Sequence, residues 1–317
     1  MNPRKRFEWK IRDRTLLLGE RTLVMGVLNV TPDSFSDGGH YSDPDAACAR
    51  AIAMEEEGAD IIDIGAESTR PGAHRVSEAE ELRRLIPVLK RLKEKLSVPI
   101  SVDTYKAAVA EKALEHGAQI INDPSGLTFE PSLARTAANY NAGLIVNHMR
   151  GTPESWARMP PMVNVMGSIE DDLDATVHRA VGSGVDRAHI VIDPGLGFGK
   201  RKEQNAEILC RLPQLGRLEL PILVGPSRKS FLAQFPDSDG GSEFATAAAI
   251  AAAIFGGAHV VRVHAVKDMK AAAQVADLVL AALPEPEVVE PPKAPARKRG
   301  MEGGGPRQSL RPSLRRP

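Results

Sequence analysis

The sequence is poor in cysteine: its 317 residues include only Cys48 and Cys210. Two cysteines cannot form a disulfide framework or a cysteine-rich zinc site. No charged, apolar and small-residue leader opens the chain, so we expect a cytoplasmic protein. The length fits either two domains of about 150 residues or a single α/β barrel.

Long apolar runs are also scarce. Residues 244–261 contain no Asp, Glu, Lys or Arg, and their 18 positions are the lower limit for crossing a bilayer. The run is mostly alanine, contains His259 and is interrupted by Gly256 and Gly257. We therefore expect a buried helix, a glycine stop and a strand here, and no membrane partner.

Two nucleotide-binding motifs are missing. The segment DPGLGFGKR (193–201) lacks the spacing of a phosphate-binding Walker loop and has Arg201 where Ser or Thr would follow the lysine. GPSRKS (225–230) fails the same test. The dinucleotide fingerprint G-x-G-x-x-G is absent as well, which argues against an NAD cofactor.

The net charge is zero, with 41 basic and 41 acidic side chains. Residues 284–317 hold eight of the basic and four of the acidic side chains, leaving 33 and 37 in the rest, so a basic tail follows a mildly acidic body. The tail is rich in proline, glycine and arginine without a periodic apolar face, which predicts disorder. It could contact nucleic acid through phosphates, but the sequence favours a solvated tail without a specific partner.

Short apolar, β-branched runs alternate with longer helical patterns in the body of the chain. Several runs are continuously apolar, as in parallel strands covered on both faces. Eight βα units favour an α/β fold of the (β/α)₈ barrel type over an open doubly wound sheet. The predicted strands are residues 22–29, 60–65, 99–103, 119–123, 144–149, 189–193, 221–225 and 259–264.

Three regions follow from this pattern. Residues 1–21 alternate in polarity and predict a hairpin that closes the barrel base, residues 22–283 form the barrel, and residues 284–317 form the tail. Two helices carry clear end signals. One is residues 43–59, with Asp43 or Asp45 as its cap and Gly58 as its stop. The other is residues 76–96, with a capping box formed by Ser77 and Glu80.

Polar residues lie within or just after the carboxyl ends of the predicted strands. In a (β/α)₈ barrel, active sites lie at that end. Any one of these residues could instead cap a helix or form a turn, but their number favours a shared site. They are Asn29, Asp63, Asp103, Asn122, Asp123, Asn147, His148, Asp193, Arg262 and His264.

One group of these side chains suits an anion. Asn29, Thr69, Arg70, Arg262 and His264 come from strands one, two and eight, and the first and last strands of a closed barrel are neighbours. Arginine offers forked, charged donors to phosphate oxygens. The carbonyl oxygen of asparagine can ligate Mg²⁺ that a diphosphate brings. Alternatively, Arg262 pairs with an acidic residue of a neighbouring helix.

A second group suits a flat heterocycle. Asp103 and Asp193 end apolar strands, and Asn122 ends a strand between them in the chain. Buried carboxylates are costly unless paired, and matching bases such as Lys229 are few. An amino group beside a ring N–H would donate two parallel bonds to one carboxylate, and the Asn122 amide would satisfy a mixed donor and acceptor edge. The carboxylates could instead cap the following helices.

Seven motifs give the chain a resemblance to the dihydropteroate synthase family over about residues 20–283. In order they are NVTPDSFSDGG (29–39), ESTRPG (67–72), SVDT (101–104), IND (121–123), DPGLGFGK (193–200), SRKS (227–230) and RVH (262–264). The resemblance implies a (β/α)₈ barrel that joins 6-hydroxymethyl-7,8-dihydropterin diphosphate to 4-aminobenzoate with release of diphosphate. It also implies a homodimer and a Mg²⁺ ion.

The resemblance assigns roles residue by residue. Asp103, Asn122, Asp193 and Lys229 match the positions that bind the pterin. Asn29, Thr69, Arg262 and His264 match the diphosphate site, with Asn29 also on Mg²⁺. Phe35, Pro71, Phe198 and Ser230 match the 4-aminobenzoate site, and Asp37 and Arg70 match two loops that close over it. The expected catalytic set is Asp37, Arg70, Lys229, Arg262 and His264.

The implied chemistry is a dissociative displacement at the pterin methylene, in which charged donors offset the developing charge of the diphosphate. Two alternatives stay open at this point. A methyltetrahydrofolate methyltransferase would keep the pterin positions but has no use for the first motif or for Arg262 and His264. A pterin-binding scaffold without activity would have lost loop or diphosphate residues, and none is missing.

Overall fold

A β-hairpin precedes the barrel, as the sequence predicts. The computed structural model describes residues 4–31, 43–68, 75–233 and 243–283. Strand β1 (Phe7–Ile11) pairs antiparallel with β2 (Arg14–Leu18). The alternation of the hairpin buries Trp9, Ile11 and Leu18 on one face. These three side chains join the apolar cluster inside the barrel and close its base.

The eight predicted strands form one parallel sheet that closes on itself. The strands are β3 (Leu23–Asn29), β4 (Ile61–Gly65), β5 (Ile100–Asp103), β6 (Ile120–Asp123), β7 (Gly143–Asn147), β8 (Ile190–Asp193), β9 (Leu223–Val224) and β10 (Val260–Val263). Their order in the sheet is β8-β7-β6-β5-β4-β3-β10-β9, and a parallel bridge between Ile192 and Ile222 joins the two ends. The (β/α)₈ barrel is therefore confirmed, and the first and last barrel strands are neighbours.

Eight α-helices in the described ranges surround the sheet. The larger apolar cluster lies between the strands and these helices, which is why the strands are apolar on both faces. The helices are α1 (Pro44–Glu56), α2 (Glu78–Leu92), α3 (Ala107–Glu115), α4 (Leu133–Asn139), α5 (Val165–Gly182), α6 (Lys202–Arg211), α7 (Glu243–Phe255) and α8 (Val266–Ala281).

The predicted amino-terminal caps of two helices are confirmed, but α2 ends at Leu92 and not at residue 96. Asp43 caps α1 by accepting the backbone N–H of Asp45 over 2.9 Å, and Gly58 follows the helix with a positive φ of 100°. Ser77 caps α2 by accepting the backbone N–H of Glu80 over 3.3 Å. The predicted capping box is only half formed, because the Glu80 carboxylate accepts hydrogen bonds from two arginines of α2 instead.

The alanine-rich run folds as a helix, a glycine stop and a strand. Helix α7 ends at Phe255, Gly257 takes a φ of 99°, and β10 begins at Val260. The helix is not wholly buried, since Phe244 is 78% exposed. Among the helices of the described ranges, none combines the length and the apolar character needed to cross a membrane.

Candidate active site

The barrel interior changes from apolar to polar over two residues. Because strand side chains alternate, the residue two positions after each inward apolar residue also points inward. In five strands that residue is polar: Asp63, Asn122, Asn147, Asp193 and Arg262. The apolar layer below them consists of Met25, Ile61, Ile120, Ile145, Val191, Leu223 and Val260. The polar layer lies toward the carboxyl ends of the strands, where barrel active sites are found.

Arg262 bridges two carboxylates in this layer. Its Nε donates to Oδ2 of Asp63 over 2.6 Å, and its Nη2 donates to Oδ2 of Asp103 over 2.7 Å. The alternative pairing with a helix residue is therefore wrong, because both partners lie on strands. Burial opposes the charge of the guanidinium, but the two carboxylates outweigh it and raise the pKa of Arg262 further. Arg262 is a fixed positive charge at the mouth of the barrel.

Asn122 is bonded to the same carboxylate. Its Nδ2 donates to Oδ2 of Asp63 over 3.1 Å. Asp63 is fully buried, and its Oδ1 has no hydrogen-bond partner among the described residues. Since an ionised carboxylate only accepts hydrogen bonds, the amide must turn its nitrogen toward Asp63.

The two neighbouring acids of β6 and β8 are used differently. Asp123 accepts the backbone N–H of Ser125 over 2.8 Å and that of Leu127 over 2.6 Å, so it stabilises the turn after β6 and points away from the barrel interior. The alternative that a polar residue at a strand end forms a turn is correct for Asp123. Asp193 accepts only the backbone N–H of Gly195, over 2.7 Å, within the described part of the chain. Its second carboxylate oxygen remains available to a ligand.

Burial dominates the electrostatics of the pocket. It raises the pKa of Asp103 to about 7, although Arg262 acts in the opposite direction, and it raises the pKa of Asp193 as well. Burial and the charge of Arg262 lower the pKa of Lys229 to about 8. Carboxylates with raised pKa values beside an ammonium group with a lowered pKa are typical of a ligand-binding or catalytic site.

The segment after β8 carries Phe198 to Lys229. The ammonium of Lys229 lies 4.1 Å from the centroid of the Phe198 ring. Gly197 has a φ of 81°, and a Cβ there would meet Cδ of Lys229 at 3.1 Å, so glycine permits both the turn and the close approach. Ser230 follows Lys229 directly and is exposed. Phe198, Lys229 and Ser230 therefore lie together, as the motifs predict.

Lys200 anchors this segment from below. Its buried ammonium donates to the backbone carbonyls of His148, Pro194 and Gly195 over 2.6 to 2.7 Å. These three hydrogen bonds satisfy all N–H donors of the ammonium and reduce the free-energy cost of burying it. Burial nevertheless lowers the pKa of Lys200 well below its ordinary value. Lys200 belongs to the DPGLGFGK motif, which by itself predicts no such anchoring role.

His264 follows β10 and is bonded to Ser227. The hydroxyl of Ser227 lies 2.9 Å from Nδ1 of His264 and accepts the backbone N–H of the same residue over 3.3 Å. Asn29, at the end of the adjacent strand β3, pairs with Gly65, which pairs in turn with Asp103. A Cβ at Gly65 would lie 3.5 Å from the side-chain carbonyl oxygen (Oδ1) of Asn29 and 3.6 Å from Cβ of Asp103. Gly65 thus leaves open the groove between them.

Five of the expected site residues lie outside the described ranges: Phe35, Asp37, Thr69, Arg70 and Pro71. The other expected residues all come from the carboxyl ends of barrel strands or from the segments that follow them. Within the described residues, no three His, Cys, Asp or Glu side chains gather as a metal site. Asp63 and Ser227 are hydrogen-bonded to expected site residues, although the motifs assigned neither of them a role. Their inward or site-facing positions follow from strand alternation and register, which the sequence does not fully specify.

Comparison with known proteins agrees with this geometry. Residues 25–264 match the family model described as pterin binding enzyme. The chain is 46% identical over 261 residues to the dihydropteroate synthase of Synechocystis sp., covering 82% of this chain and 90% of the relative. Among solved structures, a Yersinia pestis dihydropteroate synthase in complex with a sulfonamide drug aligns with a TM-score of 0.80 and 38% identity, covering 87% of this chain and all of that one. The Xanthomonas albilineans enzyme in complex with 7,8-dihydropteroate aligns with a TM-score of 0.76 and 35% identity, with the same coverage.

The chain belongs to the family of pterin-binding enzymes. Within this family, its activity is that of the dihydropteroate synthases, which act in folate biosynthesis.

Proposed function

We propose that the polar layer binds 6-hydroxymethyl-7,8-dihydropterin diphosphate with its ring against Asp103, Asn122, Asp193 and Lys229. The diphosphate then points toward Asn29, Arg262 and His264. The bridge from Arg262 to Asp103, 2.7 Å long, carries this proposal. It places the cation for the diphosphate beside an acid for the ring, so one small molecule can reach both.

The hydrogen-bonding groups of the pocket complement a pterin. Asp193 offers a free carboxylate oxygen, and a 2-amino group beside a ring N–H can donate two parallel bonds to one carboxylate. Lys229 donates only, which suits the ring carbonyl. Because burial raises the pKa of both acids, a ligand that brings donors stabilises their ionised forms.

The residues present fit a magnesium ion that arrives with the diphosphate. The Asn29 carbonyl oxygen borders the groove that Gly65 leaves open, and a neutral amide oxygen is a suitable ligand for Mg²⁺. Mg²⁺ that keeps its waters and phosphate oxygens needs few protein ligands. When bound, the ion would offset negative charge on the leaving diphosphate.

The reaction is a dissociative displacement at the exocyclic methylene. The carbon–oxygen bond to the diphosphate breaks and its electron pair leaves with the oxygen, while Arg262 and His264 stabilise the departing charge. The pterin ring delocalises the resulting cation. The aniline nitrogen of 4-aminobenzoate forms the new carbon–nitrogen bond and then loses a proton. His264 acts as a diphosphate donor and not as a base, because a neutral aniline is nucleophilic without one.

The second substrate binds beside Lys229. Ser230 donates to the carboxylate of 4-aminobenzoate, and Phe198 packs against its ring. For residues outside the described ranges the proposal follows the motifs, with Phe35 and Pro71 assigned to 4-aminobenzoate, Thr69 to the diphosphate, and Asp37 and Arg70 to the exclusion of water. The Yersinia pestis relative binds a sulfonamide, so we extend the proposal to competition between sulfonamides and 4-aminobenzoate here.

We also propose a homodimer that forms through α7 and α8. Solvent-facing positions on α8 are apolar at helical spacing, and the amino end of α7 adds an aromatic ring. An exposed apolar patch of this kind is typical of a protein interface. The most exposed members are Phe244, Val275, Leu278 and Val279.

Product formation tests the proposal. The purified chain with Mg²⁺ and the pterin diphosphate should release diphosphate only after 4-aminobenzoate is added, and should form dihydropteroate in equal amount. Asp193→Asn should lose pterin affinity, since it presents a donor to the ring donors. Ser101→Ala, at a buried position on β5 whose hydroxyl bonds nothing in the described residues, is the control. Tight pterin binding without diphosphate release would contradict the proposal.

A further inference from the structure

Asp63 joins the two halves of the site through one oxygen atom. Its Oδ2 accepts from Nε of Arg262 over 2.6 Å and from Nδ2 of Asn122 over 3.1 Å. Arg262 belongs to the diphosphate half and Asn122 to the ring half. Asp63 itself is fully buried on β4, below the rim of the barrel.

This contact fixes the direction of the Asn122 amide. A side-chain amide has one carbonyl acceptor and two N–H donors. One N–H is given to Asp63, which leaves the carbonyl and the second N–H side by side as the edge that a ligand meets. Reversing the amide would place its carbonyl oxygen against an ionised carboxylate, and both groups would then be acceptors. Asp63 therefore determines which end of that edge accepts and which end donates.

Stability alone does not explain Asp63. A buried carboxylate is costly even when it is paired, and its Oδ1 has no hydrogen-bond partner among the described residues. An unsatisfied buried oxygen adds to that cost. The neighbouring strand position, Ser101, shows that a small neutral side chain is accommodated in the same layer.

We propose that Asp63 is a positioning residue that sets the specificity of the site for a 2-amino-4-oxo pteridine. The inference rests on the proposed pterin site. A pterin presents an acceptor at ring N1 beside a donor at the 2-amino group. A lumazine, with 2-oxo in place of 2-amino, presents N1–H beside an acceptor, which is the reverse order. An Asn122 amide held by Asp63 matches the first and opposes the second.

The test compares 6-hydroxymethylpterin and 6-hydroxymethyllumazine as ligands of wild type and of Asp63→Ala. The alanine removes the oxygen that accepts from both Arg262 and Asn122, so the Asn122 amide is free to reverse, whereas an asparagine would keep a carbonyl oxygen there for Arg262. The ratio of the lumazine Kd to the pterin Kd should fall about tenfold or more, since each mispaired hydrogen bond at a buried edge is worth roughly that factor. Ser101→Ala should keep the wild-type ratio.

An unchanged ratio in folded Asp63→Ala, with pterin binding intact in wild type, would overturn the role of Asp63 alone. Failure of wild type to bind the pterin would overturn the proposed site instead. If Asp63→Ala does not fold, a crystal structure of wild type with 6-hydroxymethylpterin decides. Asn122 bonded to Asp63 and to the 2-amino group together supports the inference, whereas Asn122 turned away from Asp63 contradicts it.

Discussion

Nη2 of Arg262 lies 2.7 Å from Oδ2 of Asp103, so a cation on the last barrel strand is bonded to an acid on the third. Burial raises the pKa of Asp103, and the guanidinium partly reverses that effect. The charge state of the ring site therefore depends on the residue proposed to hold the diphosphate. Substituting either Arg262 or Asp103 should therefore affect the binding of both the pterin ring and the diphosphate.

Arg262→Ala should reduce turnover by about a thousandfold or more, because a desolvated charged contact to the leaving group is lost. On the acid side of the pH profile, the loss of pterin affinity should also begin at a higher pH, since the charge that lowers the pKa of Asp103 is gone. Steady-state rates and pterin titrations from pH 5.5 to 9 measure both effects. Arg211→Ala, which removes a surface pair with Glu207, is the control. Near-normal turnover in Arg262→Ala would refute its role.

Asp103→Asn should stabilise the unliganded protein while it weakens pterin binding. The folded pKa of Asp103 is raised from 3.8 to about 7, so ionisation costs stability progressively from about pH 4 and fully above pH 7. Removing the charge should raise Tm at pH 8 by at least about 2 °C, the shift expected from about 1 kcal/mol in a chain of this size. The gain should shrink toward pH 5. A lower Tm at pH 8 would show that the pair with Arg262 outweighs burial.

Pterin affinity should be highest between about pH 7 and pH 8. Below that range Asp103 gains a proton and becomes a weaker acceptor for the ring, and above it Lys229 loses its charge and becomes a weaker donor. The two limbs belong to an interacting set of groups and report apparent pKa values. Fluorescence titrations at fixed ionic strength give the profile. Lys229→Met should abolish the alkaline limb, and a limb that persists unchanged would assign it to the ligand.

Ser227→Ala should weaken diphosphate handling without weakening pterin binding. The Ser227 oxygen accepts the backbone N–H of His264 and its hydroxyl is hydrogen-bonded to Nδ1 of the ring, so Ser227 orients the imidazole. Without the hydroxyl, the imidazole loses this contact and can rotate. Inhibition by diphosphate should weaken roughly tenfold, and Ser227→Thr should restore it. Equal inhibition of wild type and Ser227→Ala would disprove this role.

Trp9→Ala should destabilise the fold and leave the site chemistry intact. Trp9 is fully buried at the barrel base, and its Nε1 donates to the His189 carbonyl over 2.8 Å. Loss of a buried tryptophan costs about 3–5 kcal/mol, whereas Trp9→Phe should cost less because most of the volume remains. Urea unfolding measures both variants. A cost below 1 kcal/mol for Trp9→Ala would mean that the hairpin does not seal the base.

Most of the fold could be predicted because the strands are covered on both faces. Continuous apolar runs predicted β3, β4, β5, β6 and β8 to within one residue at either end. The strand predicted at residues 221–225 is shorter, only Leu223–Val224. Pro221 has no N–H to offer to a ladder, and Pro226 follows directly, so pairing is confined to the middle of the run.

The site was predicted less completely, because its contacts depend on register between distant segments. Asn122 and Asp123 are adjacent in the sequence, yet Asn122 bonds Asp63 inside the barrel while Asp123 stabilises a turn outside it. Asp63 reaches partners 59 and 199 residues away in the chain. Alternation from Ile61 could have marked Asp63 as inward-facing, but no local pattern names its partners.

A crystal structure with the pterin diphosphate and Mg²⁺ tests the central claim most directly. We expect ring donors within about 3.2 Å of Asp103 and Asp193, and diphosphate oxygens at the same distance from Arg262 and His264. A ring bound away from both acids, or a diphosphate beyond the reach of Arg262, would contradict it.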